Sequence, residues 1–211
     1  MKRVIYTFAV CAALAAGLWF FPAFHVVPLK QAQAAREQAT FNPADFATKF
    51  WRERLTPAFN QAADAPTVLA ALAKDPKAAA TNYGRTVGLS DAVYFFMRGT
   101  GTVVSVEAKG VGVSLRGREG AADLLLKTGL LFGNTVRDAT GLMTASEFPN
   151  SHEFNDVSTA LNRMVESRVI PLLKTNAAVG RPLRFVVCAE VGEDDAGERP
   201  LKVIPVSVEL P

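Results

Sequence analysis

The segment from Val4 to Phe24 limits the architecture more than any other feature, because its 21 residues include no charged side chain. As a helix it would be about 31 Å long, which matches the ~30 Å hydrocarbon core of a bilayer. Lys2 and Arg3 precede it, as basic residues do at the start of a signal sequence. We therefore predict that residues 4–24 form a transmembrane anchor within an N-terminal segment of residues 1–30.

Two other fates are open for this segment. Signal-peptide cleavage would use the small residues Ala32 and Ala34, and lipidation would use Cys11. The residues before Cys11, Phe8-Ala9-Val10, lack the leucine that usually precedes a lipidated cysteine, so we expect Cys11 to be an apolar residue of the anchor. The signal-like arrangement favours a single-pass inner-membrane protein with its body in the periplasm.

The body that follows the anchor is electrically neutral. The chain has a formal net charge of +3, but Lys2, Arg3 and Lys30 account for three of its 23 basic residues, and all 20 acidic residues come later. Proteins that bind nucleic acids are normally basic. We therefore expect no nucleic-acid partner.

The hydrophobic pattern changes from helical to extended along the body. Residues 31–84 form a predicted helical segment that packs on a barrel: Asn42 and Pro43 suit a helix start, Pro57 should bend this helix, and a second helix should begin near Pro66. Residues 85–211 then alternate with period two, except for a long helix predicted at about 153–173.

The predicted order in the second half is three strands, one helix and two strands. The strands are "GTGTVVSVE", "GVGVSLRG", "AADLLLKTG", "LRFVVCAEV" and "LKVIPVSVEL", and we expect "LLFGNTVRDATG" to be a further extended segment. Three strands, a helix and two strands is the order of the OB-fold, a five-stranded Greek-key barrel. The sequence therefore predicts a mainly β protein with helices (α+β), built on an OB-like five-stranded β-barrel that follows a transmembrane helix and a helical segment.

No catalytic constellation is recognisable in the sequence. Neither "GTGTVV" nor "GVGVSL" completes a dinucleotide-binding motif, and "GLSDA" is not a nucleophile elbow. His152 is the one histidine of the body, so a catalytic triad or a multi-histidine metal site would depend on it alone. We therefore expect a protein that is not an enzyme and that has no cofactor and no metal site.

The densest polar stretch, residues 137–156, allows two interpretations. A ligand site would draw on six side chains, namely Arg137, Asp138, Glu147, Asn150, His152 and Glu153. A structural role explains the same residues, because Asn150 followed by Glu153 resembles a capping box at the start of the long helix. We favour the structural role.

Several segments together resemble the DUF2291 family, an uncharacterised group of predicted periplasmic lipoproteins. They are "FFPAFHVVPL", "FNPADF", "RGTGTV" and "FPNSHEFNDVSTALN", and the resemblance covers almost the whole chain. The resemblance implies an OB-like barrel and an association with sugar ABC transporter components, beside which members are often encoded. It assigns no role to any residue.

These observations favour a membrane-anchored periplasmic accessory or binding module of unknown ligand, associated with a sugar ABC transport system. The alternative is a small-molecule or metal-binding domain that uses the 137–156 loop, and an enzyme of unknown type is third. The expected partners are the membrane, through residues 4–24, and sugar ABC transporter components.

Overall fold

The computed structural model describes residues 41–88, 91–117, 121–192, 195 and 197–210. The predicted anchor at residues 4–24, and Cys11 within it, lie outside the described residues. Within the described part of the chain, no helix is both long enough and apolar enough to cross a membrane. The chain from Asn42 onward forms one compact unit.

In the part of the chain that the structure describes, three helices precede the barrel. Helix α1 (Pro43–Phe50) begins where predicted, because the Asn42 side chain accepts hydrogen bonds from the backbone N–H groups of residues 44 and 45. Helix α2 (Ala65–Lys74) also agrees with the prediction. Helix α3 (Pro76–Tyr83) lies within the predicted helical segment of residues 31–84 but was not predicted as a separate helix, although Asp75 caps it in the same manner. Its sequence has only a weak apolar stripe, so periodicity gave little signal.

Two prolines, Pro57 and Pro171, each lie two residues after the end of a π-helical turn. Helix α1 continues through a π-helical turn at Trp51–Leu55 and then Thr56–Ala58, so that Pro57 follows the wider turn. The N–H of Thr56 donates to the carbonyl of Trp51, five residues earlier. Since proline offers no N–H to the helix and its ring crowds the preceding turn, the wider turn lets the chain continue past Pro57 with a local change of geometry.

Three more helices of the described residues lie between residues 135 and 176. They are α4 (Thr135–Thr140), α5 (Ser151–Met164) and α6 (Ile170–Asn176), with a π-helical turn at Val165–Val169 between the last two. The long helix predicted at about 153–173 is confirmed with slightly wider bounds. Pro171 follows its π-helical turn as Pro57 does.

The prediction that "LLFGNTVRDATG" is an extended segment is wrong. The structure places helix α4 at Thr135–Thr140, and every residue of this helix is buried. A six-residue helix that is covered on all sides shows neither alternation nor a 3.6-residue stripe, so the pattern could not identify it. Gly141 ends the helix at φ 59°, a left-handed conformation that suits glycine.

The described residues form seven strands in one sheet, and five of these strands close into a barrel. These seven strands are β1 (Ala63–Asp64), β2 (Gly84–Thr86), β3 (Val93–Glu107), β4 (Gly110–Ser114), β5 (Leu124–Lys127), β6 (Pro182–Val191) and β7 (Leu201–Glu209). The barrel order is β3-β4-β5-β7-β6, and pairing of β6 with β3 closes it. Strands β5 and β7 are parallel, and the other barrel pairs are antiparallel. The predicted five-stranded OB-like barrel is confirmed.

Strand β3 is longer than the sequence indicated. The alternating segment was expected to start near Gly99, but the strand begins at Val93 and pairs with β6 along its first ten residues. Strands β1 and β2 add short pairings to β3 outside the barrel. Gly101 of β3 allows a close approach to β4, because a Cβ there would lie 2.5 Å from a Val113 methyl group.

Apolar side chains fill the interior of the barrel. The largest come from β3, β5 and β6, and helices α2 and α6 add others; the set includes Val68, Leu72, Phe95, Met97, Leu124, Leu126, Leu173, Phe185 and Val187. All of these side chains are essentially inaccessible to solvent. The barrel interior is therefore a packed apolar core.

Candidate functional site

Two neighbouring residues of the polar stretch form a buried ion pair. The Arg137 Nε donates to Asp138 Oδ1 at 2.6 Å, and Nη2 donates to Asp138 Oδ2 at 3.1 Å. Only 4% of Arg137 and 6% of Asp138 is exposed. Because both charges are buried and bonded to each other, this pair offers no open ligand-binding surface.

The Arg137 guanidinium also joins helix α4 to helix α5. Its Nη1 donates to the Phe154 carbonyl at 3.2 Å and to Asn155 Oδ1 at 3.1 Å. The guanidinium lies 3.7 Å from the centre of the Phe154 ring, a cation–π contact. Asp138 therefore neutralises a charge that holds two helices together against the barrel.

A second polar contact links α4 to strand β6. The Thr135 hydroxyl donates to Glu190 Oε2 at 2.7 Å. Burial raises the pKa of the nearby Tyr94 phenol, and the charges of Glu190 and Asp138 raise it further, while Arg137 opposes them. The neutral phenol is therefore favoured in this environment.

Glu147 makes its strongest contacts with helix α1. The Arg54 Nη1 donates to Glu147 Oε2 at 2.7 Å, and the Thr144 N–H donates to Oε1 at 2.8 Å. Arg54 also donates to the Leu142 carbonyl. The hydrogen bond from Arg54 is the main reason that the pKa of Glu147 lies below its ordinary value. Glu147 thus fastens the 142–147 segment to the first helix.

Asn150 and Glu153 begin helix α5. The Asn150 Oδ1 accepts from the Glu153 N–H at 2.9 Å, and its Nδ2 donates to Glu153 Oε1 at 3.1 Å. His152 points into solvent, with 86% of its side chain exposed, and its Nε2 lies 3.5 Å from Asp156 Oδ2. The helix start predicted at Asn150 is confirmed.

The six predicted ligand-site residues are therefore placed in different surroundings. Arg137 and Asp138 are buried between helices, Glu147 binds Arg54, Asn150 and Glu153 cap α5, and His152 is exposed. Among the residues that the structure describes, no three His, Cys, Asp or Glu side chains are grouped so that they could hold a metal ion.

A groove between the first helical segment and the barrel is a better candidate for recognition. It has a volume of about 580 Å³ and is lined mainly by Phe59, Asn60, Asp64, Arg98, Thr100, Arg184, Ser207 and Glu209. We call it the helix–barrel groove. Its floor is the outer face of β3, β6 and β7, because residues 98 and 100 alternate with inward-facing residues and residue 100 pairs with Arg184.

The charged side chains of the helix–barrel groove differ in what they contact. Arg184 Nη1 lies 3.4 Å from Glu209 Oε2, and both side chains are well exposed. Asp64 accepts from the N–H and the hydroxyl of Thr67, as the cap of α2. Arg98 is exposed and has no ion pair with any described residue. Its guanidinium is therefore available to a partner.

Sequence reasoning missed the helix–barrel groove for two reasons. Its residues come from segments that are far apart in the chain, and Arg98 lies before the residue at which the first strand was expected to begin. One signal was available. Arg98 and Thr100 share one face of an alternating segment, while Met97 lies on the other, so the strand could have been extended backwards.

The closed barrel and its strand order define an OB-fold protein. A solved OB-fold protein from Thermotoga maritima is similar in structure, with a TM-score of 0.73 and 28% sequence identity over 82% of this chain and 99% of the other. No curated protein matches the sequence significantly. A model of the family described as "Predicted periplasmic lipoprotein (DUF2291)" matches residues 10–209, and the chain belongs to this family.

Proposed function

We propose that the protein is a non-enzymatic accessory module of a periplasmic sugar uptake system and that it contacts a transporter component through the helix–barrel groove. The body lies in the periplasm, and residues 4–24 hold it at the inner membrane as a single span. The link to sugar uptake comes from the resemblance to the DUF2291 family. Neither a cofactor nor a nucleic acid takes part.

The observation that carries the proposal is the contrast between the two polar regions. The side chains of the 137–153 region that are buried or form caps already have partners within the chain. The helix–barrel groove instead combines the half-buried ring of Phe59 with the exposed Arg98, on a floor of paired strands. Aromatic residues and arginine are enriched at protein interfaces and among the residues that dominate binding energy.

The openness of the helix–barrel groove favours a protein partner over a small ligand. Asn60, Asp64, Arg98, Thr100 and Arg184 are all exposed. A small-molecule site normally buries most of its ligand, which needs a deeper recess. Arg98 would bind a carboxylate of the partner, while Phe59 would pack against an apolar side chain.

Photocrosslinking in living cells tests this proposal. A photoreactive amino acid replaces Thr100 in the helix–barrel groove of the full chain, and a matched variant carries it at Thr81, an exposed position of α3. We expect Thr100 to form adducts with a component of a sugar ABC transporter, identified by mass spectrometry, and Thr81 to form few. Equal adducts from both positions, or none from Thr100, would contradict the proposal.

A further inference from the structure

The loop between β5 and α4 exposes two large apolar side chains, two residues apart in the chain. Leu130 is 77% exposed and Phe132 is 79% exposed, whereas Leu131 between them is buried. We call residues 128–134 the LLF loop. Exposed apolar side chains grouped in this way commonly mark a site of interaction with a protein or a membrane.

The LLF loop is held in place at both ends. The Thr128 N–H donates to the Lys109 carbonyl at 3.1 Å, and Asn162 Nδ2 donates to the Gly133 carbonyl at 3.0 Å. At its centre, the Leu131 N–H donates to Glu166 Oε1 at 2.7 Å. Because these bonds fix the backbone, Leu130 and Phe132 are presented to solvent by a defined structure.

The same region contains the point at which the chain enters the body. Asn42, at the start of α1, lines a recess together with Arg163, Ser167 and Arg168. Glu166, which holds the LLF loop, belongs to the same π-helical turn as Ser167 and Arg168. The LLF loop and Asn42 therefore both lie against the same turn of helix. A helix with its side chains is only about 10–12 Å across, so the loop and the entry point are close to each other.

The length of chain before Asn42 keeps this region close to the membrane. Seventeen residues, 25–41, separate the predicted anchor from the body, and fully extended they span at most about 60 Å. A tether of this length gives a second, weak contact a high effective concentration.

Basic residues lie close in the chain to residues that form or hold the LLF loop. Lys109, Lys127, Arg163 and Arg168 are exposed, and none of them has an ion pair with a described residue. Acidic residues lie among them: Glu107 is close to Lys109, and Asp156 lines the same recess as Arg163 and Arg168. Glu166 is already bonded to Leu131. An apolar tip with exposed basic residues nearby fits a bilayer surface that carries anionic lipids.

We propose that the LLF loop is a membrane-contact element: Leu130 and Phe132 enter the periplasmic leaflet of the inner membrane, and the nearby basic residues meet anionic headgroups. The body would then lie on the membrane in one orientation. This inference rests on the membrane attachment in the proposed function and is independent of the transporter partner.

Spin-label depth measurements on the full chain in lipid nanodiscs test the inference. A nitroxide is attached at Phe132→Cys in a Cys11→Ala background; Cys188 is fully buried, so it does not compete for the label. Val87→Cys is the matched control, because Val87 is also an exposed apolar residue. It lies near the start of strand β3, whereas the LLF loop is bonded to the turn that follows the end of this strand. The nanodiscs contain no other protein, so failure here is distinct from failure of the transporter proposal.

In discs with one-third phosphatidylglycerol, we expect the label at residue 132 to collide several-fold more often with oxygen than with a water-soluble nickel complex. The label at Val87 should show the reverse. Leu130→Cys should repeat the result of Phe132→Cys, and the pair Arg163→Gln with Arg168→Gln should lower the oxygen preference at least twofold. The inference is overturned if residue 132 is as accessible to nickel as Val87, or if it is shielded from both reagents, which would indicate a protein contact.

Discussion

Arg137 and Asp138 are adjacent in the sequence and form an ion pair at 2.6 Å that is almost completely buried. Arg52 and Glu53 are also adjacent and lie at nearly the same distance, 2.7 Å, but their side chains are 73% and 44% exposed. The two pairs differ mainly in burial. Burial converts an ordinary surface contact into a structural element whose loss leaves an uncompensated charge in the interior.

The first prediction compares these two pairs. Arg137→Met should lower the free energy of unfolding by about 3–5 kcal/mol, because Asp138 would remain buried without its partner. Arg52→Met should change it by less than about 1 kcal/mol. Chemical denaturation of both full-length variants in detergent measures the difference. If the two variants lose equal stability, the buried pair does not have this role.

The second prediction concerns the start of α5. Asn150→Ala should cost about 0.5–2 kcal/mol of stability, because the N–H of Glu153 would lose its acceptor. His152→Ala should be nearly neutral, since the imidazole is exposed. Thermal melts with and without zinc, calcium and a panel of sugars check both variants. A ligand-dependent shift in the unmodified protein that His152→Ala removes would show instead that a ligand binds there.

The third prediction is a pH dependence that arises from Glu147. The Arg54 hydrogen bond lowers the pKa of this carboxyl below its ordinary value of 4.5. The pair therefore stabilises the fold fully above about pH 4.5, and this contribution is lost as the pH falls through the lowered pKa. Because both side chains are partly exposed, the contribution should be at most about 1 kcal/mol. Glu147→Gln should flatten the acid limb of the stability curve, whereas Glu209→Gln, at an exposed pair, should leave it unchanged.

The sequence predictions agree with the structure where a feature depends on residues that are close together in the chain. Helix starts at Asn42 and Asn150 were predictable because a cap involves residues within three positions of each other. The barrel order was predictable because alternation marks each strand separately. Helix α4 was not, because its burial depends on the helix and strands that pack around it.

The candidate sites show the same limit more strongly. The sequence identified Arg137, Glu147 and Asn150 as a dense polar group, but it did not show which of them were bonded within the chain. The partner of Glu147, Arg54, lies 93 residues away. The helix–barrel groove likewise combines residues from both halves of the body. No local pattern in the sequence indicates the contact between Arg54 and Glu147 or the residues that meet in the groove.

A fourth prediction concerns the attachment to the membrane. Deletion of residues 1–30 should release a folded, neutral body from the membrane fraction, because the uncharged segment would be gone. Cys11→Ala should leave the full chain in the membrane fraction if residues 4–24 form the anchor. Fractionation with incorporation of labelled palmitate distinguishes the two modes: loss of both membrane association and label in Cys11→Ala would establish lipid attachment at that cysteine.

The central claim is that the protein binds its partner through the helix–barrel groove and not through the 137–156 loop. Co-purification from gently solubilised membranes tests this claim most directly. The account predicts that the unmodified full chain and His152→Ala retain a sugar ABC transporter component, and that Arg98→Gln loses most of it while remaining folded. Arg116→Gln, at an exposed arginine outside the groove, should behave as the unmodified chain. Retention of the component by Arg98→Gln together with its loss in His152→Ala would contradict the account.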